Sequence, residues 1–405
     1  MAMKKNKISL KMPTGYSKLI HATILALNLF GVVMIISASM STTSTTQSLM
    51  IAGIKEFIFV IISYILMVFV ARNFSMKLFG KYFYFILGIT AVMLFVPLAF
   101  SGVNGAKAWI QLPFMTIQPS EFTKIIVILT VAYTLGDKRG ERDKKWWQLL
   151  MVPVLFILFA VGVITVLQSD LGSAVVILGI GYLCILVPSN SKLTKTQKWM
   201  FGLLLFAFAF LFFIDTPFGF KMIESIFTKI GKPYMLARFQ TSADPLHDIY
   251  GNSMQIFYGL VSMTKGGWFG LGYGNSLMKY GYIPEANTDF ILAIVIEELG
   301  IVGFGIIIVG YGILIYNMFK YAFKVKSEKD KIILVGTAAY IMIHFFFNVG
   351  GLSAFIPLTG VPLLFISSGG SSRLAIMIAI GLVQNVIARY HREQTLAKQK
   401  KVVQQ

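Results

Sequence analysis

The sequence predicts an all-α protein that crosses a membrane about ten times and keeps both termini in the cytoplasm. Hydrophobic residues make up 56% of the 405 residues, charged residues only 13%, and the mean hydropathy is +0.75. Soluble domains are about 45–50% apolar and about 25% charged. A bilayer is therefore the solvent that this composition requires. The placement of basic residues between the apolar segments gives the orientation.

Apolar segments long enough to cross the hydrocarbon recur along the whole chain. A crossing helix needs roughly 20 mainly apolar residues. The predicted spans are 17–38, 55–72, 81–100, 119–136, 147–167, 171–188, 198–214, 289–319, 332–352 and 361–388. The first follows a basic stretch, as a signal peptide would, but it is long enough to span and lacks a convincing small-residue cleavage site. We predict an uncleaved first helix within a single integral membrane domain, 1–405.

Lysine and arginine fix the predicted orientation. With the N-terminus inside, the inner segments are 1–18, 72–81, 137–146, 189–198, 320–331 and 389–405, and they hold 26 of the 36 basic residues. Such an excess marks cytoplasmic loops. The net charge of +19 is thereby assigned to the inner face, including a basic N-terminus and a basic tail, rather than to nucleic-acid binding.

The interval 215–288 is predicted to be a large, structured extracellular loop between the seventh and eighth spans. Phe220, Ile223, Phe227 and Ile230 recur at helical spacing, which suits a helix lying in the membrane interface. The apolar stretch 254–263 is too short to cross and ends in the glycine-rich run 266–274, where a re-entrant segment is expected. Long connections with structure of their own are usually functional.

Thiol and histidine chemistry are poorly supported. The single cysteine, Cys184, lies in an apolar run and cannot form a disulfide within the chain. The four histidines are scattered without metal-ligand spacing, so we predict no histidine-based metal site.

Ionisable residues at membrane depth are costly, so each requires a reason. Glu121 and Lys124 share a helix face near the outer end of the fourth span. Spacing alone favours a structural ion pair over a lysine aimed at an anionic headgroup. Asp170 precedes the sixth span, where a helix cap is the favoured interpretation.

Asp289 opens the eighth span on its outer side, bordered by water and by lipid. It is either an N-terminal cap or a functional carboxylate, a general base or a cation ligand, and the residues alone leave these evenly matched. Glu285 opposes its ionisation. Further along the same span, Glu297 and Glu298 are predicted to be buried, with at least one meeting a basic partner from another helix.

Four blocks of residues together resemble the SEDS family, named for shape, elongation, division and sporulation. They are Gln118, Pro119, Ser120 and Glu121 with Lys124; 168–172; the glycine run continuing into Pro284, Glu285, Thr288, Asp289 and Phe290, with 297–300; and Pro357, Thr359 and Gly360 with Ser367, Gly369, Gly370, Ser371 and Ser372. The resemblance covers nearly the whole chain. Gly274, Asn275 and Ser276 favour the division-type, FtsW-like branch over the elongation-type, RodA-like branch.

The resemblance implies a peptidoglycan glycosyltransferase that polymerises lipid II at the outer face of the cell membrane, at the division septum. The family's essential aspartate corresponds to Asp289, which would activate the acceptor hydroxyl for an inverting transfer that releases undecaprenyl pyrophosphate. Lys124 with Glu121, then Arg238 and Lys107, are the substrate-binding candidates. Supporting roles are expected for Glu285, Glu297, Glu298 and Ser371.

The resemblance further implies a class B penicillin-binding protein as partner, together with other divisome membrane proteins, lipid II and the growing glycan strand, and no nucleic acid. No cofactor is firmly implied, and a divalent cation, Mg²⁺ or Mn²⁺, stays open. A flippase or transporter is the alternative function, although a transporter places its decisive carboxylate near the midplane.

The chain departs from the family pattern at four positions. Ser169 stands where proline is usual, Asn287 where histidine is usual, and Ser368 where tyrosine is usual. Ala108 occupies a position where a basic residue commonly follows Lys107. The last departure puts in doubt any phosphate contact from the loop that carries Lys107.

Overall fold

The computed structural model describes residues 11–40, 45–102, 105–112, 115–136, 145–214, 216–230, 233–251 and 253–403. Within these ranges the regular secondary structure is helical apart from one pair of antiparallel strands. The α-helices are α1 (Lys18–Ser39), α2 (Thr46–Asn73), α3 (Met76–Lys81), α4 (Phe83–Phe95), α5 (Pro119–Leu135), α6 (Trp146–Gly162), α7 (Leu171–Leu186), α8 (Thr194–Ile214), α9 (Pro217–Ile230), α10 (Pro233–Ala243), α11 (Met254–Gly266), α12 (Ile291–Ala322), α13 (Glu328–Leu352) and α14 (Gly370–Val403). The predicted all-α membrane fold is confirmed.

The helices match the predicted spans in position. Seven are long and apolar enough to cross a membrane: α1, α2, α6 with the turn after it, α8, α12, α13 and α14. Two shorter apolar helices, Phe83–Ala99 and Leu171–Leu186, occupy the third and sixth predicted spans. The helix α5 occupies the fourth and carries the charged pair of Glu121 and Lys124. The number of crossings and their orientation stay predictions.

Local sequence explains where several helices begin. Ser17 accepts a hydrogen bond from the Ile20 amide at the start of α1, and Ser327 accepts one from Asp330 at the start of α13. The Asp170 side chain accepts from the Ser173 amide and caps α7, as predicted. Each cap satisfies a backbone donor that the first helical turn leaves unpaired.

The last span begins later than the sequence predicted. Residues 361–369 are not helical, and α14 starts at Gly370 and continues to Val403, through most of the predicted tail. The Leu363 amide donates to the Ser367 hydroxyl at 2.8 Å, and the Tyr311 hydroxyl donates to the Leu364 carbonyl. These bonds satisfy backbone groups outside a helix, so the prediction that 361 opens the helix was wrong.

The helix α12 is broken at Gly300, which has φ 66° and ψ −162°. At the break, the backbone of the glycine run forms hydrogen bonds with the backbone of α12. The Leu271 and Gly272 amides donate to the Glu297 and Glu298 carbonyls, both at 2.9 Å. On the other side of the break, the Ile301 and Val302 amides donate to the Gly267 and Trp268 carbonyls at 3.0 and 3.2 Å.

In an unbroken helix, these four groups of α12 would bond one another. The run therefore takes the place of one turn of helical hydrogen bonds. Broken helices at membrane depth are tolerated only against protein or a water-filled cavity, and here protein supplies the partners. Gly300 lies about 14 Å along the helix axis from Ile291 at 1.5 Å per residue. A re-entrant course of the glycine run through the membrane stays a prediction.

The core is formed by α5, α7, α13 and α14, with α1, α2 and α12 packed around it. At its centre lie side chains such as Val127, Ile177 and Ile341, all fully buried. By contrast, no described residue of α8 is buried, and its larger contacts are with α7 and α9. This helix therefore lies at the periphery.

Between the seventh and eighth spans the structure has three helices, α9, α10 and α11. The predicted amphipathic pattern falls on α9, although the side chains of Phe227 and Ile230 lie outside the described residues. Two short antiparallel strands, β1 (Ile110–Gln111) and β2 (Thr116–Ile117), which were not predicted, precede α5.

Candidate functional site

Asp289 lies in the loop that leads into α12, two residues before the helix begins at Ile291. Phe290 is the N-cap, and no side chain caps the helix. The structure therefore decides against the cap that the sequence had left open. The Asp289 side chain is half-buried, and an ideal Cβ added to Gly360 would lie 3.2 Å from its Oδ2. The loop between α13 and α14 thus closes over the carboxylate.

Gly360 explains that close approach. Its φ is 68°, a conformation that L-residues rarely adopt, and any side chain there would press on the Asp289 carboxylate. Glycine therefore serves both the turn and the contact. A carboxyl that is surrounded by protein and receives few hydrogen bonds favours its protonated form, because burial disfavours the charge.

Burial raises the pKa of Asp289 to about 7, and the neighbouring Glu285 carboxylate adds to the increase. The Arg238 guanidinium opposes the shift, and Asp170 contributes a further small rise. A carboxylate with such a pKa exchanges protons near neutrality, as a general base must.

Glu285 and Arg238 come to Asp289 from different elements. The Glu285 carbonyl accepts from the Phe290 amide at 3.1 Å, and its carboxylate accepts from the Thr288 hydroxyl at 2.6 Å, so it folds the turn that carries Asp289. Arg238 projects from α10 and donates to the Leu358 carbonyl at 2.9 Å, in the loop that carries Gly360. Arg238 is half-buried.

Ser371 and Asp170 meet around Gln118, the N-cap of α5. The Gln118 amide donates to the Ser371 hydroxyl at 3.0 Å, and that hydroxyl donates to the Thr116 carbonyl at 2.9 Å. The Gln118 side chain donates to Asp170 at 2.7 Å. The first turns of α5, α7 and α14 thus converge at one junction, whose acidic member is electrostatically coupled to Asp289.

Glu121 and Lys124 form a buried ion pair. Lys124 Nζ lies 2.7 Å from Glu121 Oε1 and 3.1 Å from His344 Nε2, and the Tyr340 hydroxyl donates to Glu121 Oε2 at 2.8 Å. All four side chains are at most 2% exposed. His344 Nδ1 lies 3.0 Å from the Pro362 carbonyl, which fits a ring N–H donating to that oxygen, so Nε2 is left to accept from Lys124. The network connects α5 to the loop beside Asp289.

Neutralising this pair separates its two interpretations. Lys124→Ala leaves a buried, unpaired Glu121, and we expect lower thermal stability and weaker substrate use. The double variant Glu121→Gln/Lys124→Met has no unpaired charge, so the denaturation temperature should recover. If Lys124 also assists binding of the lipid-linked substrate that the family resemblance implies, the KM for that substrate stays raised several-fold, as steady-state kinetics would show. A double variant with the KM of the natural protein would leave only the structural ion pair.

Glu297 and Glu298 are fully buried and anchor the segment that follows the glycine run. Glu298 accepts from the Ser37 hydroxyl at 2.6 Å and pairs with Lys279 at 2.9 Å. Lys279 is a loop residue, so a basic partner exists, but not on another helix as predicted.

Glu297 accepts from hydroxyl and amide donors instead of a basic side chain. The Ser262 and Ser276 hydroxyls donate to it at 3.0 and 2.6 Å, and the Leu277 amide donates at 3.0 Å. Together the two carboxylates fix the course of the chain between α11 and Asp289.

Lys107 is exposed in the loop before β1, and its side chain has no described contact with Asp289. Its backbone amide donates to the Gln168 carbonyl at 2.9 Å, which sets this loop beside the start of α7. Outside this group, two cavities of about 410 and 360 Å³ lie along α10, and Gln240 and His247 line both.

Sequence reasoning missed three contributors. Glu56 of α2 pairs with Arg373 at 2.6 Å and accepts from the Ser368 hydroxyl at 2.6 Å. The signal was a glutamate inside an apolar run, obscured because the second span was predicted to start at 55. His344 and Asn348 lie on one face of α13. In the sequence they look like any polar residues buried in a span, so they gave no signal.

Two of the four departures from the family pattern are neighbours in space. The Ser368 amide donates to the Asn287 carbonyl at 2.8 Å, so the residues that replace tyrosine and histidine meet beside the Asp289 turn. Ser169 has a φ of 57°, an unusual conformation for a non-glycine residue. No group of three or more histidine, cysteine or acidic side chains that could hold a metal occurs in the described ranges.

Curated relatives align with most of the chain. A probable peptidoglycan glycosyltransferase FtsW from Bacillus subtilis (strain 168) is 32% identical over 389 residues, covering 93% of this chain and 91% of the relative. The stage V sporulation protein E of the same organism is 32% identical over 289 residues, covering 71% of this chain and 73% of the relative.

Solved structures share the fold. A protein in a peptidoglycan synthase complex, studied for structural coordination of polymerization and crosslinking, superimposes with a TM-score of 0.70 at 24% identity, over 92% of this chain and 98% of that one. The rod shape determining protein RodA of Thermus thermophilus gives a TM-score of 0.62 at 22% identity, over 92% and 97% of the two chains.

The model of the FtsW, RodA and SpoVE family, described as cell cycle proteins, matches residues 17–393. The match spans all the helices that surround Asp289, and it confirms the resemblance seen in the four sequence blocks. The chain belongs to this family of membrane proteins.

Proposed function

We propose that the protein is a peptidoglycan glycosyltransferase that polymerises lipid II at the outer face of the cell membrane. The main observation behind the proposal is the Asp289 carboxylate. It lies two residues before the start of α12, does not cap that helix, and has a pKa raised to about 7. The curated relatives named as probable peptidoglycan glycosyltransferases support the substrate class. Their FtsW names favour a role in septal wall synthesis over elongation.

In the proposed reaction, ionised Asp289 accepts the proton of the acceptor sugar hydroxyl as the oxygen attacks the anomeric carbon of the donor. A carbon–oxygen bond forms on one face, and the bond to the pyrophosphate oxygen breaks on the other, so the configuration inverts. Undecaprenyl pyrophosphate leaves with the bonding electrons. General-base assistance of this kind contributes about 10²–10⁴-fold.

Positive charge near the departing pyrophosphate would stabilise the transition state. Arg238 is the best placed of the predicted basic residues, because it is half-buried and close enough to Asp289 to lower its pKa. Lys124, with Glu121, would act on substrate binding indirectly. It contacts His344, which in turn contacts the Pro362 carbonyl in the loop between α13 and α14. Lys107 is exposed, in a loop whose backbone bonds to Gln168 near the start of α7.

Glu285, Glu297, Glu298 and Ser371 would support the site by holding its backbone. We propose that a class B penicillin-binding protein assembles with this chain, because the solved structure with the same fold belongs to a peptidoglycan synthase complex. Other divisome membrane proteins and location at the septum follow from the FtsW-like assignment.

The pH dependence of polymerisation tests the proposal. Because Asp289 must be ionised to act, and its pKa is about 7, the rate should rise roughly five-fold from pH 6 to pH 7 and level off above pH 8. The measurement is glycan-strand formation from labelled lipid II by the purified complex across this range. A rate independent of pH between 5 and 8 would contradict the assignment of Asp289 as the base.

A further inference from the structure

Asn348 of α13 contacts the backbone on both sides of the candidate site. Its Nδ2 donates to the backbone carbonyl of Asp289 at 2.8 Å and to the backbone carbonyl of Val361 at 2.9 Å. One carbonyl belongs to the turn that carries the carboxylate. The other belongs to Val361, the residue after Gly360, and Gly360 is the residue that lies against that carboxylate.

The geometry points to Asn348 as a positioning residue that sets the Asp289 carboxylate against Gly360, an inference that rests on the proposed function. A side-chain amide nitrogen carries two hydrogens, so it can donate one to each of two carbonyl oxygens. The two acceptors also fix which end of the amide is nitrogen.

The burial of Asn348 makes the contact consequential. The side chain is 4% exposed, so water cannot readily replace it, and losing it would leave two carbonyl oxygens without this donor. His344 lies one turn earlier on the same helix and contacts the Pro362 carbonyl. The C-terminal half of α13 thus bonds two consecutive residues, Val361 and Pro362, of the loop that leads to α14. Asn348 also bonds the turn that carries Asp289.

Asparagine is chemically specific at this position. Aspartate has nearly the same shape, but its ionised carboxylate would face the two carbonyl oxygens with no hydrogen to donate. Alanine removes the donor and leaves space. Both changes free the Asp289 turn from Val361, and a displacement of about 1 Å at a reacting group can cost about 10²-fold in rate.

Asn317 provides a matched control. It is an asparagine of α12 that is 5% exposed, and its Nδ2 donates at 2.8 Å to the Ile313 carbonyl of its own helix. Asn317→Ala therefore removes an equally buried amide without touching the site. General effects of deleting a buried asparagine should appear equally in both variants.

The experiment compares Asn348→Ala, Asn348→Asp and Asn317→Ala in the purified complex. Glycan polymerisation from lipid II gives kcat, KM and the pH midpoint, and hydrogen exchange gives the protection of 285–290 and 359–363. We expect both Asn348 variants to lower kcat by about 10–100-fold with a smaller change in KM. Exchange should rise in both segments, and the pH midpoint should fall, because a released carboxylate is better hydrated.

Asn317→Ala should keep the kcat and pH midpoint of the natural protein. The inference is overturned if Asn348→Ala shows unchanged protection of both segments, or a fall in activity that only follows the loss of folded protein. The exchange measurement does not depend on activity. If the natural protein makes no glycan strands, the proposed function fails, while protection still decides the role of Asn348.

Discussion

Asp289→Asn is expected to abolish most glycan polymerisation, lowering the rate by about 10²–10⁴-fold, with the fold retained. Asparagine keeps the size of the side chain beside Gly360 but cannot accept the proton of the acceptor hydroxyl. The measurement is strand formation from labelled lipid II at pH 8, where the natural carboxylate is largely ionised, since its pKa is about 7. Binding of lipid II should change far less than turnover.

Stability separates lost chemistry from lost folding in that variant. A carboxyl with a raised pKa is at no disadvantage in the folded state while protonated, and its ionisation destabilises the fold as the pH rises towards and through about 7. Asp289→Asn removes that cost. Its denaturation temperature should therefore equal or exceed that of the natural protein at pH 8, with a smaller difference at pH 5.

Asp330→Asn is the matched control for removing a carboxylate. Asp330 is half-buried in the first turn of α13, at the predicted inner face, and pairs with Arg389 at 2.6 Å. Its neutralisation should leave polymerisation per folded molecule near that of the natural protein. Equal losses in the two variants would mean that Asp289 contributes charge to the fold and not chemistry.

Breaking the Lys279–Glu298 pair is expected to have the largest effect on stability. Both side chains are fully buried, and removing one partner of such a pair costs about 3–5 kcal/mol, because the other charge is left unpaired. Lys279→Met should therefore lower the denaturation temperature sharply in detergent. Since Glu298 also accepts from Ser37 of α1, the segment from 271 to 279 should lose hydrogen-exchange protection first.

A second change tests the cause of that loss. Lys279→Met/Glu298→Gln carries no unpaired charge, so we expect it to regain much of the stability. Arg389→Met is the partly exposed comparison, because the Arg389 side chain is 39% exposed and ion pairs that water reaches contribute about 0–1 kcal/mol. If Lys279→Met is no less stable than Arg389→Met, the pair does not anchor the loop.

Composition and hydropathy were sufficient to predict the helical membrane fold, because length and apolarity are local properties of each span. The predicted cap at Asp170 also followed from local rules. The start of α14 did not. Residues 361–369 are apolar enough to span, but tertiary bonds from Ser367 and Tyr311 hold them outside the helix.

The break in α12 could be predicted in part. The glycine run predicted a re-entrant segment, but the sequence could not show which helix its backbone would contact. Gly300 is one of several glycines in that span. Only the paired bonds to 267, 268, 271 and 272 identify it as the break.

In the candidate site, too, some residues were predictable from the sequence and others depend on tertiary contacts. Asp289, Glu285 and Arg238 were predicted, and the structure brings them together. The ion pair of Lys124 with Glu121 was predicted from their spacing on one helix. The contact of Lys124 with His344 joins helices far apart in the chain and was not predicted. Asn348 and Glu56 act through long-range bonds to backbone and to Arg373, for which the sequence carries no periodic or motif signal.

Glycan-strand formation from lipid II tests the central claim most directly. The measurement uses the purified protein with its class B partner, whose transpeptidase is blocked, and reads strand length on gels beside translocation of lipid II across vesicles. The account predicts strands from the natural protein, at least about 10²-fold slower strand formation by Asp289→Asn, and no translocation by either. Translocation without strands, or equal strands from both proteins, would contradict it.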